Sequence, residues 1–126
     1  MFRLIKIENG RMNVPEPEYL IASTAVAEGI AVALANGKIS KSATAPTHIT
    51  IGAASAADEK VPCIRLEKNQ VYEVPVSVIP SGINVGDKVT LGTNADSVTA
   101  TKDSGIATIV SLEGAAAAED KILVRF

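Results

Sequence analysis

The sequence predicts an all-β fold: a small barrel or sandwich built from two similar hairpin-plus-strand units, with an extended N-terminal arm. Three observations carry that prediction. Short segments rich in Val, Ile and Thr alternate with Gly and Pro at close intervals, the pattern of strands bounded by turns. Asn36-Gly37 separates two apolar segments and supplies the positive φ angles that a two-residue type I′ turn requires. One spacing of glycine, valine and leucine occurs twice along the 126 residues.

Taken in order, the first strand is Arg3 to Ile7, where charged and apolar residues interleave. That interleaving leaves no unbroken apolar core, so the segment reads as a strand and not as a signal peptide. Pro15 and Pro17 then favour an extended arm over a helix or a central strand. The arm residues Val14, Pro15, Glu16, Pro17, Glu18 and Tyr19 are the candidate contact with a partner or a neighbouring subunit, because an extended segment can add to a sheet edge through its main chain. The alternative is a surface loop tied back on its own domain. Strands are next expected at Ile30 to Ala35 and Lys38 to Ser42, joined by Asn36-Gly37 in a register that sets Leu34 opposite Ile39 and Val32 opposite Lys41. The Ala-rich stretch Thr24 to Leu34 has the propensity for a helix capped by Thr24, a reading that the repeat opposes. His48 to Gly52 and Val61 to Leu66 follow as strands. Val71 to Val78 alternates but contains Pro75, which has no donor for a ladder, so it is expected at a sheet edge. Lys88 to Gly92, Ser97 to Thr101, Ile106 to Leu112 and Lys121 to Phe126 complete the set.

The repeat aligns Gly29-x-x-Val32-x-Leu34, a turn and Ile39 with Gly86-x-x-Val89-x-Leu91, a turn two residues longer, and Val98. Further on, Asp58-Glu59-Lys60 before one strand matches Glu119-Asp120-Lys121 before another. Since Lys88-Val89-Thr90-Leu91 is a strand by composition, Ile30 to Leu34 is read as one too. The expected organisation is a single β domain: an N-terminal strand and arm (1–28), a first repeat (29–66), a connecting edge segment (67–85) and a second repeat (86–126).

Composition narrows the function. A net charge of −2 gives the molecule no general attraction to nucleic acid or anionic membranes. At 47% hydrophobic and 21% charged residues the chain is a folder, not a disordered segment. No run approaches the roughly 18 apolar residues of a membrane-spanning helix. The lone Cys63 excludes an internal disulfide and thiolate zinc spacings, and alternates with apolar neighbours as a buried small hydrophobe. His48 is the only histidine, so any Ser-His-Asp or Cys-His arrangement must use it, and a structural histidine is the expectation. The carboxylate pairs Glu16/Glu18, Asp58/Glu59 and Glu119/Asp120 match no calcium loop and read as solvated turns. No phosphate-cradling glycine loop is present. Catalytic residues, metal ligands and cofactor-binding residues are therefore all expected to be absent.

The C-terminal pattern Val85-Gly86-Asp87-Lys88-Val89, a turn, Val98-Thr99-Ala100, Gly105-Ile106-Ala107, the run Ala115 to Ala118 and the final Ile122-Leu123-Val124-Arg125-Phe126 resembles the small all-β head proteins of tailed bacteriophages. These are capsid decoration proteins that bind the outside of the shell. The resemblance covers about the last 45 residues well and the first repeat loosely. It implies a non-enzymatic protein, made in the bacterial cytoplasm, that stabilises the shell as a homo-oligomer, a trimer being favoured, with the major capsid protein as partner. The charged first strand and the proline-containing arm depart from the best-known members. Another β assembly module, such as a phage tail or surface-assembly subunit, is the alternative reading. An enzyme with a β-barrel site would have to place His48 or a carboxylate pair in a cleft.

Overall fold

A computed structural model describes residues 1–8 and 15–126. Among these residues the fold is all-β, with strands β1 (Arg3–Ile7), β2 (Glu18–Ala22), β3 (Ala31–Ala35), β4 (Lys38–Lys41), β5 (His48–Thr50), β6 (Lys60–Arg65), β7 (Gln70–Pro75), β8 (Lys88–Val89), β9 (Ala107–Ser111) and β10 (Lys121–Arg125). Strands β2-β4-β3-β5-β6 close into a barrel, and β1-β7-β10-β9-β8 form a five-stranded sheet. The β3–β4 hairpin turns on Asn36 and Gly37 at φ 53° and 78°, and Leu34 faces Ile39 as the turn chemistry requires.

The repeat is visible in the strand registers. Ala31 and Val32 face Ile49 and His48, while Lys88 and Val89 face Thr108 and Ala107. Leu34 faces Ile39, and Leu91 faces Val98. Ala22 runs parallel beside Ile39, and Val76 runs parallel beside Val98. Glu18 to Ile21 descend against Cys63 to Lys60 as Tyr72 to Pro75 descend against Val124 to Lys121. The second sheet therefore curls round like a less regular copy of the barrel. The interiors match as well: Ala22, Val32, Ile39, Thr50, Val61 and Cys63 occupy the positions that Val76, Val89, Val98, Ile109, Ile122 and Val124 hold in the second unit, all of them buried. Alternation directs these side chains to one face of each strand, and the apolar ones from both units join a single hydrophobic core.

Several expectations are corrected. Segment 67–85 is more than an edge connector: β7 lies between β1 and β10 and is the second unit's counterpart of β2. Pro75 is tolerated there because it is the last residue of β7 and β1 reaches back only as far as the Arg3–Glu73 pair. The Val76 N–H points to β10, where it meets Asp120 O at 2.9 Å, so the alternation turns Pro75 N toward the side that β1 has left. The arm is also shorter than expected. Pro15, Glu16 and Pro17 are irregular, whereas Glu18 and Tyr19 open β2 inside the closed barrel. Residues 9–14, Val14 among them, lie outside the described residues.

Ser97 to Thr101 makes only bridges at Val98, and β8 stops at Val89. Threonine hydroxyls take over there: Thr101 Oγ1 accepts the Thr90 N–H at 2.8 Å, and the Thr90 and Thr99 hydroxyls bond each other at 2.7 Å. Side-chain partners of this kind compete with a regular ladder. The Ala-rich stretch Thr24 to Leu34 becomes an irregular segment and β3, with no helix.

Candidate functional site

The polar feature that stands out in the barrel is a line of four side chains at one end. Leu34 N–H donates to Thr47 Oγ1 (2.9 Å), Thr47 Oγ1 meets His48 Nδ1 (2.8 Å), His48 Nε2 meets Glu18 Oε2 (2.5 Å), and Arg65 Nη2 donates to Glu18 Oε1 (2.8 Å). His48 opens β5 with its ring fully buried, and its cross-strand partner is Arg65 on β6. Glu18 opens β2, which the β2–β6 pairing brings beside both. The guanidinium of Arg65, and then His48, hold the Glu18 carboxyl below the ordinary carboxylate range. With Glu18 ionised, the carboxylate accepts the proton that Nε2 of the ring carries. A hydroxyl, an imidazole and a carboxylate in series have the makings of a proton relay. Here the ring has no exposed surface, and the line ties β2, β3, β5 and β6 together.

The second unit answers this cluster with aromatic residues. Register places Tyr72 where the barrel has Glu18, Ala107 where it has His48 and Phe126 where it has Arg65. Phe2, just ahead of β1, packs between Tyr72 and Phe126 with ring centroids 6.3 and 5.5 Å away. Tyr72 donates its hydroxyl to Gln70 Oε1 at 2.9 Å, and Gln70 Nε2 reaches Arg65 O at 3.1 Å, which joins the units. Burial pushes the Tyr72 phenol well above its usual range. The same end of the fold is thus ionic in one unit and aromatic in the other, where β1 covers it.

The remaining singled-out residues separate. Cys63 is buried, and desolvation, then the Glu18 charge, push its thiol up to about 11. Glu59 accepts the Ser55 N–H and hydroxyl, and Asp120 accepts the N–H groups of Ala116 and Ala117, each at 2.7–2.9 Å. These bonds lower both carboxyls and make them turn locks. Asp58 pairs with Lys38 at 2.7 Å. Among the described residues, no group of three or more His, Cys, Asp or Glu is placed to hold a metal ion. Of the arm, Glu18 faces inward to its ion pairs, while Glu16 and Pro17 are exposed and Tyr19 is 65% exposed.

Sequence reasoning did not find the Glu18–His48–Arg65 cluster or the exposed apolar side chains of the β7–β8 connection. Val78, Ile79 and Val85 are 44%, 65% and 63% exposed. The signal was present for Ile79 and Val85, which sit among Pro80, Gly82 and Gly86 outside the expected strands, whereas Val78 was expected to end the strand Val71 to Val78. Compared with known protein families and curated proteins, the chain matches no family model and no curated sequence.

Proposed function

We propose that the protein is a non-enzymatic virion structural protein that binds the outside of a phage capsid and stabilises the shell. One observation carries the reading. The residues that resemble phage head proteins, Val85 to Phe126, belong to a compact β unit whose registers recur in the first half of the chain. Two such units in one chain suit a protein whose work is to present a rigid surface. The apolar side chains of Val78, Ile79 and Val85 supply desolvation area of the kind used in protein contacts. Tyr19, Glu16 and Pro17 are the part of the arm left available for contact with the shell or a neighbouring subunit, and the expected state is a homo-oligomer, a trimer by resemblance. A subunit of another β assembly, such as a phage tail, is the competing reading.

The test is cosedimentation of the purified protein with expanded, undecorated phage capsids, counted per capsid subunit. Saturable binding at a fixed ratio, with a higher melting temperature of the loaded shell, is the expected result. Failure to bind the shell overturns the proposal in favour of the other assembly. Deleting residues 1–18 is not a suitable variant, because it removes β1 and the buried Phe2.

A further inference from the structure

We infer, resting on the capsid-binding reading, that the groove between β1 and the barrel receives an extended segment of the major capsid protein as an added strand along β1. The first ground is the open edge. The barrel is closed, β8 is met by the Asp103 bridge, and β1 stands at the end of its sheet paired with β7 alone. A strand in that position presents main-chain donors and acceptors to whatever extended chain lies beside it.

The second ground is the space beside the edge. A groove of about 430 Å³ runs along β1, with Glu28, Ile51 and Ile64 among the residues of its far wall. At its head the Phe2 N–H donates to Gly29 O at 2.8 Å, so the outer side of the N-terminal segment is already paired to the barrel main chain there. Beyond that bond the two walls part. Ile5 on one wall and Ile51 on the other are 42% and 40% exposed, which offers apolar seats to alternate side chains of an incoming strand.

The third ground is charge. Lys6 has Glu8 at 3.4 Å, but Arg3 and Glu28 belong to no ion pair among the described residues. The segment that fits is therefore apolar at alternate positions, with a carboxylate set toward Arg3 and a lysine or arginine toward Glu28. A β1 strand from a second copy fits worse, because it would bring another Arg3 and Lys6 alongside the first pair.

The experiment uses the full chain and expanded, undecorated capsids. Hydrogen exchange is read at residues 3–7 with and without the shell, and shell affinity is measured for Ile5→Asp, Ile51→Asp and Arg3→Glu, with Lys41→Glu as a control on exposed β4. Slower exchange at residues 3–7, and about tenfold or greater weakening in the three groove variants with unchanged melting temperatures, is the expected result. Wild-type binding with no protection of β1 and no loss in these variants overturns the groove inference and leaves the capsid reading standing. Absence of wild-type binding overturns both.

Discussion

Asp58 and Glu119 turn the chain through the same left-handed corner, at φ 68° and 71°, at matching points of the two units. Around each corner the same bonds recur. Asp58 N–H donates to Ala22 O and Ala22 N–H to Glu59 O, while Glu119 N–H donates to Val76 O and Val76 N–H to Asp120 O. The following carboxylate then takes the amides upstream, Ser55 in one unit and Ala116 with Ala117 in the other. This clasp fixes where the last strand of each unit begins.

Glycine tolerates such a corner better than any other residue. Glu119→Gly is expected to stabilise the protein by about 0.5–1 kcal/mol, the left-handed penalty removed less the extra freedom of an unfolded glycine. Asp58→Gly should gain less, because it also loses the exposed pair with Lys38. Urea denaturation midpoints, at unchanged slope, measure both.

Acid should loosen the fold through the same locks. Glu18, Glu59 and Asp120 have folded values below their ordinary 4.5, 4.5 and 3.8, so the unfolded chain binds more protons as pH falls toward those values. Their contribution is fully present above the ordinary values and is lost as pH falls through the lowered ones. The urea midpoint should drop as pH falls below about 5, with a smaller drop in Asp120→Asn.

Glu18→Ala leaves the buried His48 Nε2 without its partner and should destabilise by about 1–3 kcal/mol. Glu18→Gln keeps an acceptor in place and should cost less. Equal losses for Gln and Ala in thermal or urea unfolding would show that charge, not hydrogen bonding, holds the ring.

Cys63 should be inert to thiol reagents in the native state and react only as fast as the protein opens, because its thiol is buried and pushed up to about 11. Its raised value also means that stability is present below the ordinary 9.0 and is lost as pH rises from there through about 11. Cys63→Val should remove that part of the alkaline slope, as read from urea midpoints between these two pH values.

Pro17 guards an edge. Ala22 N–H points to β6, so alternation along β2 turns the nitrogen of Pro17 to the opposite side, where β4 reaches only Ile21 and Ala22. The second unit accepts β1 at the equivalent stretch, against Gln70 to Glu73. Pro17→Val would restore a donor there, and sedimentation velocity should then show concentration-dependent self-association beyond that of the wild type.

Strand class, the β3–β4 turn and the repeat were legible in the sequence because each is dictated locally. Asn36-Gly37 admits the dihedral angles of a type I′ turn, and period-two alternation marks a face whatever lies opposite it. The spacing of Gly29, Val32, Leu34 and Ile39 against Gly86, Val89, Leu91 and Val98 reappears as matching registers. What the tertiary structure alone decided was pairing across distance. Pro17 and Pro75 argue against β2 and a central β7 when read by themselves, yet each proline sits where no partner strand needs its N–H. Glu18 meets His48 and Arg65 only because β2 closes the barrel against β6, and Phe2 reaches Tyr72 and Phe126 only because β1 crosses to the second unit. Burial and ion pairing are set by which strands become neighbours, and a local pattern does not encode that choice.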